Sequence, residues 1–98
     1  MKRVDALEWL EKDLDRVIKV CESHSASISF IKELYDAGVE RVEVETLDDL
    51  HDPEDLTRSA IYVTLKFPIS KSLFKMLMEL RPDEFKEIKP GTFRLWWD

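Results

Sequence analysis

Hydrophobic and polar residues alternate most clearly over residues 60–67, and this period predicts the central β-strand of the fold. Two further alternating segments, 41–45 and 92–97, predict two more strands beside it. In the central segment, one side of the extended chain is apolar and belongs to a core, whereas the other side is mixed. The apolar side consists of Ile61, Val63, Leu65 and Phe67, and the mixed side of Ala60, Tyr62, Thr64 and Lys66.

Three other segments repeat apolar residues every three or four positions, which is the spacing of an amphipathic helix. They predict helices over residues 4–22, about 28–37 and about 71–80. Gly38 follows the second segment, where a helix commonly ends. Pro82 follows the third and stops it.

The segment after Pro82 leaves two interpretations open. Proline followed at once by Asp83 and Glu84 is typical of the first turn of a short helix, which is the interpretation we prefer. In the alternative, residues 85–89 pair with the final strand across Pro90-Gly91, a dipeptide that suits a type II turn.

Together the segments predict one α+β domain over residues 1–98, with the order α-α-β-β-α-β. The expected architecture is a two-layer sandwich in which helices pack on one face of a three-stranded, mainly antiparallel sheet. One alternative remains, because β-branched residues crowd the segment 16–21 and favour a strand there. The order would then be the ferredoxin-like β-α-β-β-α-β, preceded by an N-terminal helix.

The composition indicates the cellular environment of the protein and the classes of partner that it can bind. The net charge of −6 is a poor match for phosphate backbones, so it disfavours nucleic acid and permits a basic protein partner. A single cysteine fits the reducing cytoplasm, and the sequence shows neither a membrane-spanning apolar run nor a signal peptide. The complete absence of Asn and Gln beside 37% charged residues resembles proteins of thermophiles.

No motif for catalysis or cofactor binding occurs, and we predict no cofactor. Gly38 and Gly91 are the only glycines, too few for a phosphate-binding loop. The acidic segment 48–55, which includes His51, is interpreted as a solvated loop, with weak Ca²⁺ or Mg²⁺ binding as the alternative. Cys21 and His24 are spaced to share a soft metal, but a structural zinc needs four ligands, so Cys21 is assigned to the core.

The second face of the predicted sheet is the candidate interaction face. Aromatic side chains on an uncovered sheet usually mark a contact with another molecule. The alternatives are that the first helix covers this face, or that it binds a ligand or single-stranded nucleic acid. The candidate residues are Arg41, Tyr62, Thr64, Lys66, Arg94 and Trp96.

The sequence therefore predicts a small acidic cytoplasmic protein that is a non-catalytic protein-interaction module and acts as a homodimer. If the second copy packs on the candidate face, Trp96→Glu should dissolve that dimer. A small-molecule-binding regulatory domain is the alternative, tied to a strand at 16–21. A divalent-metal-assisted enzyme that uses the segment 48–55 is a further alternative.

Overall fold

The structure is a computed structural model that describes residues 2–46 and 56–98. Its α-helices are α1 (Ala6–Glu11), α2 (His24–Asp36) and α3 (Lys71–Met78), with a 3₁₀ turn at Lys19–Cys21. Its strands are β1 (Lys2–Asp5), β2 (Val17–Ile18), β3 (Arg41–Thr46), β4 (Thr57–Arg58), β5 (Ala60–Thr64), β6 (Glu84–Lys89) and β7 (Thr92–Trp96).

The described strands form a five-stranded antiparallel sheet in the order β1-β3-β5-β7-β6, and a separate parallel pair of β2 with β4. The predicted α+β class is therefore confirmed, with helices packed on an antiparallel sheet. The predicted strand count and element order are wrong, because β1 and β6 extend the sheet on both sides of the three expected strands.

The single helix predicted over residues 4–22 is the largest error. The chain begins instead as β1, which pairs with β3, and turns into α1 at Ala6. The Asp5 carboxylate starts this helix, because it accepts a hydrogen bond from the Glu8 N–H at 3.0 Å. The Asp13 carboxylate favours a turn after the helix by accepting from the Asp15 N–H at 2.9 Å. Leu14, which continued the helical spacing, is 79% exposed.

The ferredoxin-like alternative is also wrong. Val17 and Ile18 do form a strand, but it pairs with β4 and not with the main sheet. The backbone N–H groups of Val17 and Ile18 have partners outside the main sheet. The Val17 N–H donates to the Leu56 carbonyl at 2.9 Å. The Ile18 N–H donates to the hydroxyl of Ser27 on α2 at 2.8 Å.

The end of the chain follows the interpretation that was not preferred. Residues 84–89 form β6 and pair with β7 across Pro90-Gly91, so the predicted short helix is absent from this described segment. Aromatic packing stabilises the hairpin, because the Phe85 ring stacks on Phe93 with centroids 5.2 Å apart. Phe74 of α3 meets the edge of Phe85 at 5.6 Å, which joins the hairpin to the helix layer.

The hydrophobic core lies on one side of the sheet, between the strands and the helices. Apolar residues of β3, β5 and β7 alternate toward this side, and each described α-helix contributes buried side chains to the same cluster. The fully buried members include Val42, Val44, Ile61, Val63 and Leu95 from the strands, and Ala6, Leu10, Ile31, Leu34 and Leu77 from the helices.

Tyr35 ties helix α2 to the edge of the sheet. Its hydroxyl donates to the Asp5 carboxylate at 2.6 Å and accepts from the Val42 N–H at 3.0 Å. Burial and the hydrogen bond to Asp5 raise the pKa of Tyr35 to about 12. The folded chain therefore holds the phenolic proton more tightly than the unfolded chain does.

This shift has a measurable consequence for stability at high pH. Because the pKa of Tyr35 is raised on folding, its contribution is complete below the ordinary tyrosine value of about 10 and is lost as pH rises toward about 12. We expect the free energy of unfolding, measured with urea at several pH values above about 9, to fall with pH in the wild type and to fall less in Tyr35→Phe. Equal slopes of the unfolding free energy against pH in the two proteins would contradict this assignment.

Candidate interaction surface

The side of the sheet opposite the helices is called the open face here. The strand register brings together on it residues that lie far apart in the sequence. The buried apolar residues of the described helices all belong to the core cluster on the other side. Asp5 is bonded to the helices, because its carboxylate accepts from the Glu8 N–H and the Tyr35 hydroxyl. The residues of the open face are Arg3, Asp5, Arg41, Glu43, Glu45, Ala60, Tyr62, Thr64, Glu84, Lys86, Lys89, Thr92, Arg94 and Trp96.

The register places five of the six candidate residues on this face. Arg41 lies opposite Thr64, and Tyr62 lies between Glu43 on one side and Arg94 on the other. Trp96 of β7 lies between Ala60 and Glu84, and it is partly exposed. Lys66 is the exception, because β5 ends at Thr64 and Lys66 lies beyond the strand.

Tyr62 is not the open aromatic surface that the alternation predicted, since it is only 7% exposed. Neighbours on the same face cover it. The Arg3 guanidinium lies 4.8 Å above its ring, and the phenol donates a hydrogen bond to the Glu45 carboxylate. Burial and then the bond to Glu45 raise the pKa of Tyr62, while a hydrogen bond from Arg94 opposes the change. Trp96 is therefore the more accessible aromatic residue of the pair.

The charged side chains of the open face are engaged with one another. Arg94 links two strands, since its guanidinium donates to the Glu84 carboxylate of β6 at 2.9 Å. The Arg41 guanidinium lies 3.5 Å from the carboxylate of Glu43. Such ion pairs at a surface, within β3 or between β6 and β7, contribute little to stability, but they fix where each charge is presented.

Positive and negative charges nearly cancel on this face, although the whole chain carries −6. Much of the excess negative charge comes from the acidic segment 48–55, which lies outside the described residues. The cations are Arg3, Arg41, Lys86, Lys89 and Arg94, and the carboxylates are Asp5, Glu43, Glu45 and Glu84.

A groove of about 670 Å³ lies at the end of β5, beside the turn between β6 and β7. Phe67 is 77% exposed at its rim, although the alternation predicted this residue in the core. The prediction failed because the strand ends three residues before Phe67, and the adjacent Pro68 was the available signal for that early end. Charged lining comes from Lys66 and Glu87, and the Glu87 carboxylate already accepts from the Gly91 N–H at 3.1 Å. Few polar groups therefore remain to orient a ligand.

Cys21 and His24 do not form a reactive pair. Burial raises the pKa of the Cys21 thiol, and a hydrogen bond with Ser27 opposes this only in part. The His24 imidazole uses Nδ1 in a 2.8 Å hydrogen bond with the Arg16 carbonyl. A thiol with a raised pKa carries little thiolate at neutral pH, so this cysteine is a poor nucleophile and a poor metal ligand.

Across residues 2–46 and 56–98, no three His, Cys, Asp or Glu side chains come together in a way that would hold a metal ion. The acidic segment 48–55, with His51, lies outside the described residues. In the same described ranges, no helix has the length and apolar character needed to cross a bilayer.

Comparisons with protein-family models, with curated proteins and with solved structures find no match to this chain. Since a fold alone does not give a function, the function has to follow from the chemistry of the surfaces.

Proposed function

We propose that this chain is a non-catalytic protein-interaction module that acts as a homodimer and meets a partner protein through the open face. The observation that carries the proposal is the side of the sheet that no described helix covers. All three described helices lie on the other side, which leaves Trp96 partly exposed among charged and hydroxyl side chains. A tryptophan in such a setting is the residue type most often central to a protein contact.

The charge of the open face favours one class of partner. A nucleic acid gains most from a surface with a large excess of cations, but here carboxylates lie between the cations along the strands. The Arg94–Glu84 pair is one example of a cation already neutralised by its neighbour. A protein surface that carries both signs can pair with each of these charges in turn, and it is the partner that we propose.

The size of the chain supports the homodimer. A domain of 98 residues buries only roughly 60–65% of the surface of its unfolded chain, so its stability is modest without help. Association of two identical copies adds buried surface and is the commonest form of assembly. The solution mass, measured by light scattering over a dilution series, should be twice the 11.6 kDa of one chain. A single-chain mass at every concentration would contradict the homodimer.

No specific observation favours the alternatives. The regulatory-domain hypothesis was tied to a strand at 16–21; only Val17 and Ile18 form one, and it pairs with β4 outside the main sheet. The metal-assisted hypothesis rests on the segment 48–55, which lies outside the described residues. The thermophilic source and the cytoplasmic location stay predictions from composition.

Replacing Trp96 by Glu tests the open face. The substitution removes its most accessible aromatic residue and places a carboxylate opposite Glu84. The wild-type chain and the variant are each immobilised and incubated with a lysate of the source cells. We expect the wild type to retain a protein that the variant does not retain. An interface hot spot of about 2 kcal/mol or more corresponds to roughly a 30-fold loss of affinity.

Leu14→Glu is the matched control, because it makes the same kind of apolar-to-acidic change at a residue that is 79% exposed outside the open face. It should retain the same protein as the wild type. An identical set of retained proteins for Trp96→Glu would remove the open face as the contact surface.

A further inference from the structure

We infer that the second copy of the homodimer binds at the outer edge of β6, antiparallel to it, in the register that places Phe85 opposite its own counterpart. This inference rests on the proposed function, because it names the surface through which the homodimer forms. The two sheets then join into one continuous sheet, and the open faces stay free for the partner protein.

The first support is the position of β6 in the sheet. It is the last strand of the order, and no strand of the described segments pairs with its outer side. Five of its six residues are exposed, with Phe85 as the exception. An unpaired strand edge is a template for another strand, unless the protein blocks it.

The second support is the direction of the backbone groups of β6. Leu65 donates its N–H to Gly91 at 2.8 Å, and Trp97 donates to Ser59 at 2.8 Å, so the odd-numbered residues of β7 bond to β5. The even-numbered residues of β7 therefore face β6, where Trp96 and Arg94 lie opposite Glu84 and Lys86. The Trp96 carbonyl accepts from the Asp83 N–H at 2.8 Å, next to Glu84.

It follows that the N–H and C=O groups of Phe85 and Glu87 point away from the sheet, toward the open edge. An antiparallel neighbour must therefore be bound through these odd-numbered residues. For two identical strands related by a two-fold axis, this condition leaves only a few registers.

The third support is the charge pattern of the strand, which has the sequence Glu-Phe-Lys-Glu-Ile-Lys. With Phe85 opposite its counterpart, Glu84 of each copy lies opposite Lys86 of the other. The symmetric contact thus contains two pairs of opposite charge on the open face and one aromatic pair on the core side. Lysine on a strand edge normally opposes pairing, but in this register each Lys86 lies beside the Glu84 carboxylate, which Arg94 of its own copy contacts at 2.9 Å.

The neighbouring registers are disfavoured by the same charges. Moving the centre by one residue places Lys86 opposite Lys86, or Glu84 opposite Glu84, and like charges directly opposite are destabilising. The chosen register has one unfavourable feature of its own, since Asp83 of one copy lies near Glu87 of the other. Both carboxylates already accept backbone hydrogen bonds, Asp83 from Asp98 at 2.7 Å and Glu87 from Gly91 at 3.1 Å.

The aromatic residues behind the strand favour the same contact. Phe85 stacks on Phe93 and meets Phe74, which is 44% exposed on α3. A second copy centred on Phe85 would extend this cluster across the two-fold axis and cover part of Phe74. Burial of aromatic surface then adds to the backbone hydrogen bonds.

Charge reversal tests the register. Lys86→Glu and Glu84→Lys each replace two attractive pairs by repulsive ones, and each should raise the dissociation constant of the dimer by about tenfold or more. The double variant Glu84→Lys/Lys86→Glu restores opposite charges and should recover the wild-type constant. Lys32→Glu makes the same change in net charge as Lys86→Glu at an exposed position of α2, and it should leave the constant unchanged.

A disulfide tests the geometry independently. In a hydrogen-bonded antiparallel pair, opposite Cα atoms lie about 5.5 Å apart, which a disulfide can span. In a Cys21→Ser background, Phe85→Cys should therefore cross-link two copies under mild oxidation, and Lys86→Cys should not. Preferential cross-linking of Lys86→Cys would overturn the register.

The outcomes separate this inference from the proposed function. A wild-type dimer that Lys86→Glu weakens and the double variant restores supports the inference. A dimer that Lys86→Glu leaves intact and Trp96→Glu dissolves would overturn it while keeping the homodimer. A single-chain mass for the wild type at all concentrations would overturn both the inference and the homodimer.

Discussion

Replacing Ile61 by Ala should lower the free energy of unfolding by about 2–5 kcal/mol. Ile61 is fully buried in β5, where it lies opposite Leu95. Strands flank β5 on both sides, so the surrounding backbone has little freedom to fill the space left by the removed atoms. Small domains have a total stability of about 5–15 kcal/mol, and the loss is a large part of it.

Urea unfolding followed by tryptophan fluorescence measures the Ile61 effect. Ile88→Ala is the matched control, because it removes the same atoms from a residue that is 41% exposed at the irregular end of β6. The control should change stability by about 0.5 kcal/mol or less. Similar losses in the two variants would contradict the assignment of β5 to the centre of the core.

Ser27→Ala is expected to have the second-largest effect. The hydroxyl of this fully buried residue accepts from the Ile18 N–H at 2.8 Å and donates to the Ser23 carbonyl at 2.7 Å. Removal of the hydroxyl leaves the N–H of a fully buried residue without its partner, which costs about 1–3 kcal/mol. The same bond holds β2 against α2, so β2 should also exchange its amide hydrogens faster.

Ser29→Ala on the same helix is the control for Ser27, because Ser29 is exposed. Both substitutions gain the same intrinsic helix preference of alanine over serine. The difference between their free energies of unfolding therefore isolates the contribution of the buried hydrogen bond. The free energies of unfolding come from chemical denaturation. Equal stability of the two variants would show that the hydroxyl of Ser27 is dispensable.

The candidate interaction face was largely predictable, because the period of two along a strand is a local property. Tyr62, Arg94 and Trp96 lie on one side of the sheet as the alternation of two separate segments predicted. Alternation does not show how neighbouring strands cover a residue. Tyr62 is buried because Arg3 and Glu45, from two other strands, lie against it.

The pairing of β6 shows why short segments escape prediction. Residues 83–89 carry the charges of a helix start, but they are also followed by Pro90-Gly91, a turn dipeptide that suits a hairpin. The stacking of Phe85 on Phe93 and its contact with Phe74 decide in favour of the strand. Phe74 lies in another element, α3, so a local sequence pattern cannot predict its contribution to the packing.

The sequence alone determined the α+β class, the presence of strands β3, β5 and β7, and the helices α2 and α3, because each segment has a strong period within itself. The tertiary structure decided the rest. Lys2–Asp5 became a strand by pairing with β3, and the helical spacing after it was ended by aspartate hydrogen bonds. The edge at β6, where we infer the second copy binds, exists only because pairing between distant segments places that strand last in the sheet.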